Sequence, residues 1–297
     1  WQTPQVRDRR PEPTDEALNV QWYLENTLFD VVGEVYDRLE RALAERYDEP
    51  VEVPKLFEFR SWAGSDRDGN PFVTPEVTED TLARQRTVVL EKYSDALKRL
   101  SGVLSQDGSR IDVGADFERS LMADRERLPV VAEETEERYP DEPYRQKLKL
   151  MRERIRRIED VRPDGYASHH ELLEDLETID ASLRANGADV VADEYVSPLM
   201  RQVDTFGFSL ASLDLRDHQE NHTETVAAAL AREGIDYDAL DEDERVATLT
   251  EAILQDEPIV DVTDTEPLSD TATRVLRRFD HLADWQAEFG AQSIDTY

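Results

Sequence analysis

Along the 297 residues, apolar positions recur mostly at intervals of three or four, the spacing of one face of an α-helix. From residue 14 to 47 that face reads Leu18, Trp22, Leu24, Leu28, Val31, Val35, Leu39 and Leu43, with Thr14 placed to cap it. Pro50 and Pro54 break the run. KLFEFRSW (55–62) alternates Phe57 and Phe59 with charged neighbours, a period of two that predicts a strand. Thr74 before Pro75 is an N-cap and first-turn signal for a helix reaching about Leu104. After a loop over 105–116, shorter helices are expected, including one near 142–160 and one from Ser168, where Glu171 completes a capping-box pattern, to Asn186–Gly187. Another helix ends at Phe206–Gly207. FSLASLDLR (208–216) alternates again and predicts the second strand, with helices from about His218, near 243–255 and over 271–289. There is no internal repeat and no low-complexity linker.

The pattern therefore predicts a predominantly α-helical α/β chain in which two short strands each run into a polar cluster and then a helix. Ligands of α/β proteins bind at the carboxyl ends of strands. DRDGNP (66–71) and LDLRDHQENHTE (213–224) occupy those places.

Composition narrows the classes. The 68 acidic against 35 basic side chains give a formal net charge of −33, which argues against nucleic-acid binding, since that requires a basic footprint. The acid is spread along the chain rather than gathered into a tail. Only Lys55, Lys92, Lys98, Lys147 and Lys149 are lysines, so arginine supplies most of the basic charge. At about 1 M salt the Debye length is about 3 Å, and such self-repulsion becomes tolerable. The expected setting is a halophilic, haloarchaeal cytoplasm. Cysteine is absent, which removes disulfides, thiol nucleophiles and thiolate metal sites. No apolar run approaches the ~20 residues of a membrane span, and no signal peptide is visible. The chain starts at Trp1 rather than methionine, which raises the expectation of a piece of something longer.

Within 61–75, Gly69 can take positive φ and Asn70–Pro71 favours a turn, so a structural reading has Asp66 and Asp68 capping a sharp reversal while Arg67 pairs with one of them. An EF-hand reading fails, because with Asp66 as first ligand the sixth position is Pro71 and the twelfth is Val77, where glycine and glutamate are required. In 208–224, Asp214 lies between Leu213 and Leu215 and Arg216 closes the strand, where a guanidinium can fork onto phosphate or carboxylate. The plain alternative is a salt bridge to a nearby acid. His218 and His222 lie four apart, but HQENH is not the HExxH order, and a polar helix surface or hydrogen-bonded pair is favoured over a zinc site. Asn221–His222–Thr223 matches a glycosylation sequon formally and is set aside without a secretion signal. The cluster Arg145, Lys147, Lys149, Arg152, Arg154, Arg156 and Arg157 could bind an anion, but acidic neighbours such as Glu153 and Glu159 favour a solvated, salt-bridged helix.

These stretches resemble phosphoenolpyruvate carboxylase of the bacterial type. SWAGSDRDGNPFVT is similar to that family's SWxGGDRDGNPxVT, with Ser65 in place of glycine. LDLRDHQENHTE is similar to its (L/I)DIRQ-x-HTE block, keeping Asp214, Arg216, His222, Thr223 and Glu224 but carrying Asp217 for glutamine. WQTPQVRDRRPEPTDEA resembles a third block, and QSIDTY the entry to a family strand that these residues are not expected to include. The resemblance implies a helix-rich α/β barrel, usually a homotetramer, that joins phosphoenolpyruvate to bicarbonate with Mg²⁺ or Mn²⁺, giving oxaloacetate and phosphate by way of carboxyphosphate and the pyruvate enolate. This is an anaplerotic carbon-fixing step feeding the tricarboxylic acid cycle. It implies Arg216 as the arginine on the substrate phosphate and Trp62 as a wall of the active site. Asp66, Arg67, Asp68, Gly69, Asn70 and Asp214 would support strand ends and turn. The family's TAHPT histidine, metal carboxylates and Gly-Arg-rich phosphate loop do not occur in the sequence. Residues 1–297 are accordingly expected to be one internal segment of a larger barrel domain, with no metal ligand of its own and inactive alone. A non-catalytic helical scaffold from a halophile is the rival expectation, separable from the enzyme by whether Arg216 tolerates lysine.

Overall fold

The computed structural model describes residues 11–47, 51, 53–68, 70–256, 263 and 268–297. Pro50, Gly69 and the first ten residues of the opening block lie outside the described residues. In chain order the helices are α1 (Pro13–Tyr23), a π-turn over Leu24–Leu28, and α2 (Phe29–Arg46). Strand β1 (Arg60–Ser61) precedes the 29-residue α3 (Pro75–Val103). Then come α4 (Ala115–Arg127), α5 (Pro129–Arg138), α6 (Pro143–Arg156), α7 (His169–Ala185), the single turn α8 (Asp189–Val191) and α9 (Ser197–Phe206). The chain closes with β2 (Ser212–Asp214), α10 (Gln219–Arg232), α11 (Glu242–Leu254), α12 (Asp270–Phe289) and β3 (Ile294–Thr296). The result is a helix-rich α/β chain. Among the described residues no helix is long and apolar enough to cross a membrane.

Two compact units are present. One takes Leu18–Arg60 and Leu82–Ala211. Its core is built from the apolar faces of its helices, with Tyr93, Leu97, Leu148, Met151, Leu176 and Val203 sealed from solvent. Phe57 and Phe59 join this core by stacking, Phe59 on Phe206 at 5.2 Å and Phe206 on Phe29 at 5.0 Å. That placement corrects the strand expected over 55–62: only Arg60–Ser61 is strand. The alternation of Phe57 and Phe59 serves a helical core rather than a ladder, and the Leu56 amide donates to the Tyr36 hydroxyl at 2.6 Å. The strand expected over 208–216 shortens to Ser212–Asp214 for a similar reason. Before it, Ala211 N donates to Gln85 Oε1 at 2.7 Å and Ser209 Oγ to the Ala211 carbonyl, so side chains satisfy backbone that a ladder would have used.

The basic helix is salt-bridged as expected, but it is not solvated throughout. Lys147 and Arg154 of α6 are buried, and they hold Asp124 of α4 and Asp175 of α7 between them. Glu171 accepts from Arg154 Nη2. Ser168 stands at the N-cap of α7 but makes no side-chain capping bond, so the capping box expected there is not formed. A box does form at α11, where Asp241 and Glu244 cap each other's amides.

The second unit takes Trp1–Ala17, Ser61–Thr81 and Ser212–Tyr297. Its sheet has the order β1-β2-β3, with β2 and β3 parallel in the register Leu213 to Ile294 and Asp214 to Thr296. A parallel bridge between Asp66 and Arg216 follows beyond the strands. Helices α10 and α12 pack against each other and α12 meets β3; Ala229, Leu230, Ala272, Val275, Leu276, Trp285, Phe289 and Ile294 are buried in this unit. The closing QSIDTY, expected only to lead into a strand outside these residues, itself supplies a strand, β3.

Candidate active site

Both motif stretches lie in the second unit, and the parallel bridge sets them side by side. Chain reversal after β1 is built from short hydrogen bonds: Ser65 N and Asp66 N both donate to the Trp62 carbonyl at 3.0 Å. Asp66 Oδ1 accepts from Asp68 N at 2.9 Å, and Asn70 Oδ1 from Phe72 N at 3.2 Å, two side chains standing in for backbone in a tight turn. Asp66 therefore caps the turn as the structural reading proposed. Ser65, which departs from the resembled motif, is buried and donates to the Asp214 carbonyl at 2.9 Å, pinning the turn to the end of β2.

Gly64 is constrained twice. Its φ is +89°, a region that side chains other than glycine's rarely adopt. A Cβ there would collide with Thr81 Oγ1 and meet Thr81 Cγ2 at 3.0 Å. The Gly64 carbonyl also accepts from buried Thr78 Oγ1 at 2.8 Å. Gly64→Ala is expected to lower stability by roughly 2–4 kcal/mol, adding backbone strain to overpacking. Urea denaturation reads this directly, and a loss under about 0.5 kcal/mol would show that the turn relaxes freely.

Arg216 extends from the end of β2 across this turn. Its Nη2 donates to Asp68 Oδ2 at 3.0 Å and its Nε lies 3.7 Å from Asp66 Oδ1. The guanidinium carbon stands 4.9 Å from the Trp62 ring centre, a cation–π arrangement. Trp62 is 56% exposed, and the Arg216 side chain is 43% exposed. The pair thus presents an apolar wall and a reachable, oriented fork of donors. Asp214 contributes its carbonyl to Ser65, as noted.

Arg67 takes a different direction. Neither Asp66 nor Asp68 pairs with it; its amide donates to the Arg216 carbonyl at 3.1 Å. Its side chain lines a cavity of about 650 Å³ together with residues of α12 and the start of α10. Burial first, then the charge of Arg278, holds its pKa down to about 10.

Asp217, the second departure from the resembled blocks, is explained by a partner that sequence reasoning missed. Its Oδ2 accepts from Arg278 Nη1 at 2.6 Å, and its Oδ1 from Asn221 Nδ2 and from His218 N. Both side chains of the Asp217–Arg278 pair are almost fully buried. Burial pushes the Asp217 carboxyl up, but the Asn221 bond and the Arg278 charge outweigh it and hold it below the ordinary range. Arg278 Nη1 also donates to the Tyr297 hydroxyl at 3.2 Å. The available signal was the triplet Arg274, Arg277 and Arg278 on one side of α12, an unusual basic concentration in so acidic a chain.

His218 caps α10, its Nδ1 accepting from Glu220 N, while His222 Nε2 meets the Tyr297 hydroxyl at 3.4 Å. Among the described residues no three His, Asp or Glu side chains converge to hold a metal ion. Asp68 is held by Arg216, and Asp66 by a turn amide. The described residues do not fit the divalent cation that the resemblance implies.

The family model for phosphoenolpyruvate carboxylase matches residues 1–297. The chain belongs to the phosphoenolpyruvate carboxylase family. Curated relatives named phosphoenolpyruvate carboxylase include one from Roseiflexus castenholzii, 36% identical over 277 residues, which make up 88% of this chain and 30% of the relative. One from Xanthomonas euvesicatoria is 35% identical over 297 residues, covering 100% of this chain and 32% of the relative. Another from Prochlorococcus marinus is 31% identical over 330 residues, again 32% of the relative. The chain thus spans about a third of the length of the phosphoenolpyruvate carboxylases it matches.

Proposed function

We propose that these 297 residues are one internal segment of a phosphoenolpyruvate carboxylase, contributing part of its active site and completing a helix-rich α/β barrel with the remaining polypeptide. The observation that carries the reading is the grouping of Arg216, Trp62, Asp66 and Asp68 around the parallel bridge that joins the turn after β1 to the end of β2, in a chain of that family.

The reaction is carboxylation of phosphoenolpyruvate by bicarbonate to oxaloacetate and phosphate. The phosphoryl group leaves the enol oxygen for a bicarbonate oxygen, giving carboxyphosphate and the pyruvate enolate. Carboxyphosphate then releases CO₂, whose carbon bonds to the enolate carbon as inorganic phosphate departs. Arg216 takes the substrate phosphate, exchanging its contact with Asp68 for phosphate oxygens as negative charge shifts. Trp62 holds the guanidinium face and walls off water, which would otherwise protonate the enolate. Asp66, Arg67, Asp68, Asn70 and Asp214 shape and brace the strand ends. A divalent cation, Mg²⁺ or Mn²⁺, is held by carboxylates outside these residues. The intact enzyme is a cytoplasmic homotetramer, and this segment alone is inactive.

The test is bicarbonate-dependent oxaloacetate formation by the complete polypeptide in concentrated KCl with Mg²⁺. An intact, folded polypeptide that forms none would favour a non-catalytic scaffold.

The acidic, lysine-poor surface supports a halophilic source. Native circular dichroism and activity are expected in molar KCl and to be lost near 0.1 M salt, where the Debye length of about 10 Å leaves the net charge of −33 poorly screened. Full activity at the lower salt would remove the halophilic assignment.

A further inference from the structure

The cavity that receives Arg67 is lined by the first turns of three helices, α3, α10 and α12, and by the guanidinium groups of Arg67, Arg274, Arg277 and Arg278. Helix N-termini present unpaired amides and the positive end of the backbone dipole. Its acids do not neutralise this set. Asp217 is committed to Arg278, while Glu76 and Asp270 are exposed at the rim.

Arg278 is the decisive side chain. It is only 2% exposed. Nη1 serves Asp217 and Tyr297, but Nε and Nη2 are sealed from solvent and without a hydrogen-bond partner among the described residues. Arg67 Nη2, on the same cavity, is in the same condition. Buried donors are ordinarily satisfied, so orphaned guanidinium atoms from two arginines on one cavity mark the place of a missing acceptor. That acceptor has to offer several oxygens and carry negative charge.

We propose that this cavity is a binding site for a small doubly charged oxyanion, inorganic phosphate or a phosphate monoester. A tetrahedral dianion matches the planar forks of Arg67 and Arg278, leaves Arg274 and Arg277 to close over it, and is neutralised without any cation. Because the cavity shelters these donors, the interaction persists at salt concentrations that abolish surface attraction. The inference stands apart from the carboxylase reading, and its test measures binding rather than turnover.

The experiment is calorimetric titration of inorganic phosphate, and separately of glycerol 3-phosphate, into the complete polypeptide in concentrated KCl. An Arg216→Gln background keeps phosphate bound at that arginine from contributing heat. Adding Arg274→Gln with Arg277→Gln leaves the buried Asp217–Arg278 pair in place and alters only exposed positions of α12. Saturable binding in the background variant, weakened at least tenfold by the pair of substitutions while circular dichroism is unchanged, is the expected result. Tighter binding of the ester identifies a phosphorylated metabolite as the source, and equal binding identifies free phosphate. No saturable binding, or binding indifferent to the two substitutions, overturns the site. In the first case an acidic side chain from elsewhere in the polypeptide fills the cavity.

Discussion

Arg216→Lys in the complete enzyme is expected to lower kcat/KM for phosphoenolpyruvate by about 100- to 1,000-fold, roughly 3–4 kcal/mol of transition-state stabilisation. Lysine keeps the charge but loses the planar fork, and its compact ammonium cannot lie over the Trp62 ring as the guanidinium does at 4.9 Å. The loss is expected chiefly in kcat, since charge on the migrating phosphoryl group grows after substrate has bound. The variant should fold normally, because the Arg216 side chain is 43% exposed and its partners Asp66 and Asp68 are also open to water. Steady-state kinetics with phosphoenolpyruvate as the varied substrate decide the matter. An unchanged kcat/KM would show that Arg216 only ties the turn to β2 and would remove it from the site.

The second large effect concerns stability and lies in the helical unit. Lys147→Met is expected to cost roughly 3–5 kcal/mol at neutral pH, the penalty for leaving buried charge uncompensated. Lys147 Nζ donates to Asp124 and Asp175, both at 2.6 Å, and to Ser120 Oγ at 2.7 Å. Without it two buried carboxylates share Arg154, and Tyr166 supplies one neutral donor to Asp175. Burial already pushes the Asp124 carboxyl above its ordinary range, with the neighbouring Asp175 charge adding to this and Lys147 opposing it. A carboxyl raised on folding contributes stability below its unfolded pKa and loses that contribution as pH rises through the folded value. Removing Lys147 raises Asp124 further. The variant's penalty should therefore shrink in mild acid and grow toward neutrality. Urea denaturation of both proteins at pH 5 and pH 7.5 provides the comparison, and a penalty that is small or independent of pH would show that water reaches the pair.

Much of this architecture was legible because helical periodicity is written into single residues. The helices over 14–47, after Pro75 and near 271–289 each appear where they were expected, but the face read over 14–47 did not: Leu18, Trp22, Val31 and Val35 are exposed, and Leu24, Phe29, Val32 and Tyr36 are the residues that turn inward. Strand lengths were not legible. Phe57 and Phe59 alternate as a strand would, yet their rings stack in a helical core, and period alone does not say what an alternating side chain meets. At the site, the two motifs announced that Trp62, Asp66 and Arg216 belong to one neighbourhood. Arg67 was misplaced in the structural reading because adjacent residues of extended chain point to opposite sides, and the pairing that fixes those sides is long-range. Lys147, Arg154 and Arg278 were hidden for a different reason. Charged residues are ordinarily exposed, and only packing from distant segments reveals that these three are not.

Asp217 and Arg278 also restrict how the chain can change by mutation. Changing Asp217 alone to the glutamine of the resembled block would leave Arg278 with buried, unanswered charge, and losing Arg278 alone would strand Asp217. Each single step is costly, whereas the joint change removes both charges together, so the two substitutions are strongly non-additive. The pair is thus entrenched: each residue, once the other is present, becomes the reason that its partner persists.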